Sequence, residues 1–231
     1  MAFNEVDFVG QPVSTNWNLR EKAPRLGSLI YRRVGKRIFD IVFSATALIL
    51  LMPALLILAF IVKRDGGPAF FGHKRIGRDG KPFTCWKIRT MVVDAEKRLN
   101  DLLERDPVAR EQWQREFKLD NDPRITALGQ FLRRSSLDEL PQFWNVLLGD
   151  MSVVGPRPVT KKEVELYGKH ARTVQSVRPG VTGLWQVSGR NAISYSSRVR
   201  LDVHYARNAS FVGDLAIVLW TVTTMLKRTG K

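Results

Sequence analysis

The sequence predicts an α+β protein, mostly helical, with a single cytosolic domain that carries a small β-hairpin and is anchored by a proline-kinked re-entrant membrane helix. Three observations predict it. The run from Ile41 to Val62 contains no charged residue, over a length that matches the roughly 20 residues needed to cross a bilayer core. Pro53 stands near the middle of that run and basic residues stand at both of its ends. Downstream, aromatic residues flank an Asp79-Gly80 turn, while most other segments repeat apolar residues at helical spacing.

Residues 1 to 30 are polar and interrupted by proline, with no apolar run at the start, so they read as a loosely ordered arm and not as a cleavable signal. Residues 31 to 65 form the anchor. Arg32, Arg33, Lys36 and Arg37 precede the apolar run, and Lys63 and Arg64 follow it. Positive residues favour the cytoplasmic side, and one straight crossing cannot put both ends there. Pro53 removes a backbone donor and clashes with the preceding turn, which calls for a kink. A helix that enters one leaflet, bends and returns satisfies both features; a kinked transmembrane span is the alternative. Residues 66 to 231 make up the cytosolic domain. The chain has 37 Lys and Arg against 22 Asp and Glu, a formal net charge of +15, so its surface attracts phosphates or anionic lipid. Nucleic acid would explain the charge but not an uncharged apolar run. The single cysteine, Cys85, excludes an internal disulfide, and the three histidines lack metal-ligand spacing.

Within the domain, Phe70 and Phe71, then Phe83 and Trp86, bracket the turn at Asp79-Gly80, and Lys87 and Arg89 leave the end of this hairpin. From Asp94 to about Leu119 the pattern is charged and helical, with Pro107 interrupting it. Ile125, Leu128, Phe131 and Leu132 mark a further helix. Another is expected from Asp138 to Leu148, burying Leu140, Phe143, Trp144, Leu147 and Leu148. Two turn-rich motifs follow, "VVGPRPV" and "RPGVTGLWQVSGRN", before a C-terminal apolar helix suited to the core or to the membrane interface.

The adjacent carboxylates Asp138 and Glu139 have two readings. In the first, Ser136 and Glu139 form a capping box at a helix start, where the helix dipole favours acids anyway. In the second, a carboxylate attacks phosphorus and forms an acyl phosphate. That chemistry needs the phosphate charge masked by a divalent ion and arginines, and Arg133 and Arg134 lie just upstream. Arg157, held between Pro156 and Pro158, sits in a stiff extended loop suited to a planar base or a diphosphate. Gln186 and Asn191 add amides beside Arg190.

These pieces, in this order, resemble the bacterial sugar transferases, the monotopic polyprenol-phosphate phosphoglycosyl transferases. The resemblance rests on the anchor with its proline, "DGGPAFFGHKRIGRDGKPFTCWKIRTM", "DPRIT", "LRRSSLDELPQFWNVLLGDMSVVGPRP" and "RPGVTGLWQVSGRN", and covers about residues 31 to 226. The length is similar to that of the short exopolysaccharide galactose (or glucose) phosphotransferases. Some relatives carry Ser-Pro at the bend, where this chain has Met52-Pro53.

The resemblance implies that hexose-1-phosphate, galactose before glucose, passes from a UDP-sugar to a membrane polyprenol phosphate with Mg²⁺ as cofactor and UMP as product. It makes Asp138 the nucleophile and Glu139 its partner in catalysis and metal binding. Arg133 falls near the lipid phosphate, and Arg157, Gln186, Arg190 and Asn191 fall in the nucleotide-sugar motifs, with Lys87 and Arg89 counted among the substrate-binding residues. It places the protein on the cytoplasmic face of a bacterial inner membrane, implies no nucleic acid partner, and admits a homo-oligomer. A membrane-anchored glycosyltransferase releasing UDP is the rival reading.

Overall fold

The computed structural model describes residues 30–116, 119–189 and 193–226. A π-helical turn, Tyr31–Gly35, leads directly into α1, Lys36–Val62. At 1.5 Å per residue α1 is about 40 Å long. It continues through Pro53, so the bend expected there does not break it.

α1 lies along the rest of the fold. Near its start the buried Asp40 carboxylate accepts hydrogen bonds from Ser152 Oγ (2.9 Å) and the Val153 amide (3.0 Å). Lys36 reaches the buried Asp214, 2.7 Å away, which also accepts from the Tyr31 hydroxyl. Farther along, Leu48, Leu51, Leu55, Leu58 and Val62 recur at intervals of three and four, the spacing of one helix face. That stripe packs against Leu128, Leu132, Leu137 and Leu140 of the domain. Ile49, Leu50, Leu56, Ile57 and Phe60 point away and are exposed. Two of the basic residues before the run cap helices of the domain. Arg37 donates to the carbonyls of Val146 and Leu147, and Arg32 to those of Ala206 and Arg207. These carbonyls lie in the last turns of their helices, where intrahelical donors run out, although Val146 also accepts from the Gly149 amide.

The hairpin forms as expected. β1, Phe70–Ile76, pairs antiparallel with β2, Pro82–Ile88, from Phe70 opposite Ile88 to Ile76 opposite Pro82. Asp79 and Gly80 at the turn both have positive φ, a conformation that aspartate tolerates and glycine adopts freely. Along β2, Phe83 and Cys85 are buried, and the two-residue period brings Lys87 to the same face. The charged stretch becomes α2, Ala95–Arg105, and α3, Pro107–Glu116, with proline starting the second helix. α4 spans Ala127–Ser135.

The helix expected from Asp138 to Leu148 is shorter. Leu137–Glu139 is a 3₁₀ turn and α5 begins only at Gln142, ending at Leu148. Pro141 is the cause: without an N–H it cannot bond the Leu137 carbonyl, which instead accepts from Leu140 in a tighter turn. The capping box does not form. Ser136 is left-handed, with φ 58°, and its side chain caps nothing. Leu140 is buried as expected, but Trp144 and Leu148 are exposed, because α5 turns its other face, Asn145 and Val146, to the core.

The two turn-rich motifs meet through a second sheet that the sequence reading lacks. β3, Ser152–Val154, pairs parallel with β4, Gly180–Thr182. Gly180 donates to the Pro156 carbonyl and Gly155 to that of Thr182, both within 2.9 Å. A side chain at Gly180 would fall 2.1 Å from the Gly155 nitrogen, so only glycine permits the approach. Short helices α6, Lys161–Leu166, and α7, Ala171–Gln175, connect these motifs, and α8, Leu184–Val187, lies within the second. α9, Tyr195–Asn208, and α10, Phe211–Leu226, complete the fold. Phe83, Met151, Val154, Trp185, Leu201 and Ile217 are among the residues of the main core, while Val212, Leu219, Trp220 and Val222 of α10 are exposed.

Candidate active site

The acid pair sits where α4 reverses into α5. The left-handed Ser136 ends α4, and the 3₁₀ turn buries Asp138 while leaving Glu139 partly exposed. β2 lies across this turn and brings Lys87 to both acids, 2.6 Å from Glu139 Oε1 and 3.6 Å from Asp138 Oδ2. Asn145 sets that alignment. It is wholly buried, accepts from the Trp86 amide at 3.0 Å and donates to the Thr84 carbonyl at 2.8 Å, stitching α5 to β2. Sequence reasoning missed Asn145, although a lone amide inside "FWNVLL" was the available signal.

Burial is the main influence on Asp138. It penalises the anion, the Glu139 charge adds to that, and Lys87 and Arg133 pull the other way, leaving the carboxyl pushed up to about 6 from 3.8. For Lys87 burial opposes the charge, but Glu139 and Asp138 outweigh it and hold the ammonium above the ordinary lysine value. Arg133 is tethered at Nε to Thr90 Oγ1, 2.9 Å away, with its side chain otherwise exposed beside the pair. Thr90 is fixed in turn by α4, whose Gly129 passes so close that a Cβ would lie 2.0 Å from the Thr90 carbonyl oxygen.

Arg89 is elsewhere. Its five N–H groups go to Pro68 O, Asp65 Oδ1 and Oδ2, Met91 O and Val62 O. It braces the hairpin against the end of α1 and has no donor left for a substrate, which corrects its expected role. Arg178 Nε donates to the Gly149 carbonyl just past α5.

Arg157 follows β3, and the buried Cys85 thiol lies on β2, the strand that carries Lys87. Burial pushes that thiol up to about 11, which excludes it as a nucleophile at neutral pH. Arg157 and Arg198 stand over the Trp185 ring, 5.8 and 4.1 Å from its centroid. Behind them Asp202 is fully buried, accepts from Tyr167, and is pushed up to about 7, mainly by desolvation. Gln186 and Glu139 line one cavity. Arg190 and Asn191 lie outside the described residues.

No group of three or more His, Cys, Asp and Glu occurs among the described residues, so no site is built wholly of protein ligands. Two adjacent carboxylates do fit Mg²⁺, which is commonly held by one or two carboxylates plus substrate phosphates.

A long lipid-facing helix packed on a domain with a buried, cation-flanked carboxylate defines a membrane-associated protein equipped to handle phosphate. Residues 31–228 match the bacterial sugar transferase family, and the chain belongs to that family. It is 52% identical over 198 residues to a UDP-galactose-lipid carrier transferase of Erwinia amylovora, covering 86% of this chain and 42% of that one. It is 51% identical over 198 residues to an undecaprenyl-phosphate galactose phosphotransferase of Salmonella typhimurium, with the same 86% and 42% coverage. An exopolysaccharide production protein of Sinorhizobium fredii, ExoY, is 47% identical over 190 residues, 82% of this chain and 84% of its own length. The chain thus spans less than half of the first two relatives and most of the third.

Proposed function

We propose that the protein transfers hexose-1-phosphate from a UDP-sugar to polyprenol phosphate, releasing UMP, as a membrane step of exopolysaccharide or other glycoconjugate synthesis. The observation that carries the reading is Asp138 itself, a buried carboxylate raised to about 6 and flanked by Lys87 and Arg133. Membership of the family and the names of the relatives support the substrates, with galactose the first choice of sugar.

In the first step an Asp138 carboxylate oxygen attacks the sugar-bearing β-phosphorus. The bond to the bridging oxygen breaks, and UMP leaves with that electron pair. Lys87 and Arg133 neutralise the charge gathered there. Glu139 with Asp138 would hold Mg²⁺, which supplies charge masking on the diphosphate. In the second step a phosphate oxygen of the acceptor attacks the phosphorus of the sugar-phosphoryl-aspartate, and Asp138 leaves as the free carboxylate. Arg157 offers a cation to the nucleotide, and its contact with the buried Trp185 ring helps hold the guanidinium in place.

The packing of α1 supports a monotopic arrangement on the cytoplasmic face. A helix held to the domain by Asp40 near its start, by the Leu48 to Val62 stripe and by Arg89 at its end has no length free to cross a bilayer without carrying the domain into lipid. Basic residues at both ends agree. Purified protein in lipid, given Mg²⁺, polyprenol phosphate and a panel of UDP-sugars, tests the reading. UMP from one sugar is expected; UDP would replace it with sugar transfer alone.

A further inference from the structure

The cavity beside the acid pair is apolar, of about 150 Å³, and framed by Phe43 of the membrane helix, Phe143, Val153, Val181, Val218 and Val222. Glu139 and Ser136 stand on its wall, so it opens onto the catalytic turn. Building on the transfer reaction proposed above, we propose that this cavity seats the phosphate-bearing isoprene unit of the acceptor.

Size, polarity and surroundings all favour that occupant. An apolar cavity of about 150 Å³ stays dry and takes a molecule the size of benzene, which matches one branched five-carbon isoprene unit. Two of the wall hydroxyls pair with protein groups: Thr182 and Thr221 lie 2.6 Å apart, and Thr221 donates to the Ile217 carbonyl at 2.8 Å. The rest of the lining is mostly apolar, where the several hydroxyls of a sugar would find few partners. An anionic head at the mouth meets Lys87, 2.6 Å from Glu139, and the tethered Arg133. Gln186 stands there too, and its buried Oε1 has no partner among the described residues. Turned over, the same amide donates to a phosphate oxygen. Val222 is half exposed at the rim, and Leu219 and Trp220 on the same helix are exposed as well. Apolar surface therefore runs from the cavity toward the lipid-facing side of α10, the path a long prenyl tail needs. A ligand with a phosphate head, a branched apolar first unit and a lipid-dissolved tail fits each of these features.

The two half-reactions separate this proposal from the reading beneath it. Val218→Phe fills the cavity from inside, and Val222→Phe narrows it from the rim at an exposed position that burdens folding little. The burst of UMP from UDP-sugar without acceptor reports the first step and also the fraction of folded enzyme. Steady-state turnover against polyprenol phosphate reports the second. The expected result is a KM for the acceptor raised about tenfold or more, a typical discrimination for apolar groups in a pocket, with the burst unaltered. Wild-type enzyme should also prefer short prenyl phosphates over straight-chain alkyl phosphates of equal carbon number, and the filled variants should lose that preference. An unchanged acceptor KM in both variants, or equal use of prenyl and straight chains by the wild type, overturns the proposal. A wild-type preparation that gives no burst overturns the covalent transfer itself, and this proposal with it.

Discussion

Replacing Asp138 with Asn should abolish turnover and at the same time stabilise the fold. The carboxyl is pushed from 3.8 to about 6 on folding, principally by burial. The folded protein therefore binds this proton more tightly than the unfolded chain. The neutral form's advantage is complete below the unfolded value and is lost as pH rises through about 6. A shift of about 2 units costs about 3 kcal/mol at neutral pH, at 1.4 kcal/mol per unit. Asn carries no charge to desolvate, but its amide NH₂ faces Lys87 and Arg133 less favourably, which returns part of that gain. Each kcal/mol moves Tm by about 2 to 4 °C in a chain of this size, so a rise of several degrees is expected at pH 7.5. The assay is a pair of thermal melts, wild type and Asp138→Asn in the same lipid nanodisc, repeated from pH 7.5 to pH 4. The gap should close as pH falls through 6 and be nearly gone at pH 4. A variant less stable than wild type at pH 7.5, or a gap that ignores pH, would refute the argument from desolvation.

Arg157→Ala should raise KM for the UDP-sugar by about tenfold or more, the scale of a lost charge-assisted contact, with Tm little changed; unaltered kinetics would leave the Gly155 to Pro158 loop a structural turn. Asn145→Ala leaves the Trp86 amide and Thr84 carbonyl buried and unpaired, costing about 2 to 4 kcal/mol. It should lower both Tm and kcat by loosening β2 and with it Lys87, and a kcat equal to wild type in folded variant would end that positioning role. Arg89→Met should cost about 3 kcal/mol or more, since its neighbours lose a buried, fully bonded guanidinium, and whatever enzyme stays folded should keep its donor KM. A changed KM there would return Arg89 to the substrate site.

The parts of this fold that local chemistry specifies were open to reading. The hairpin follows from Asp79-Gly80, whose residues tolerate positive φ, and the anchor from a run of uncharged residues. The acid pair stood out against a basic chain; Lys87, counted in through the resemblance, reaches both acids, and Gln186, read from its turn-rich motif, lines the cavity that Glu139 also lines. What failed needed knowledge of partners distant in sequence. Arg89 carries the same charge as Lys87 two residues away, but it lies where α1 ends, and Asp65 with three carbonyls claims it. Trp144 and Leu148 were expected in the core because apolar residues usually find it, but α5 turns Asn145 and Val146 inward and leaves both of them exposed. Arg32 and Arg37 read as membrane-flanking charges, yet they spend their donors on helix ends. The β3 and β4 pairing joins segments with no strand signal longer than three residues each.

The raised carboxyl has a consequence for the energetics of the reaction. An ordinary aspartate near 4 is a weak nucleophile and a good leaving group, so its acyl phosphate would lie uphill of the phosphoanhydride that is broken in the donor and formed in the product. Phosphate monoesters have a second pKa of about 6, the value to which burial brings Asp138. In the metal-free protein the incoming carboxylate, the departing UMP and the acceptor phosphate are then nearly matched in basicity. At pH 7 about nine-tenths of Asp138 is still ionised, so little nucleophile is lost in exchange. Matched basicity requires the first step to run backwards readily. Labelled UMP should enter UDP-sugar in the absence of any acceptor, at a rate comparable with forward turnover, and the forward rate should fall about tenfold per pH unit below about 6. Lys87→Met removes the charge that most favours ionised Asp138 and should move that acidic limb upward. A burst of UMP with no exchange of label, from enzyme active on acceptor, would show that the intermediate lies too far downhill for this matching to hold.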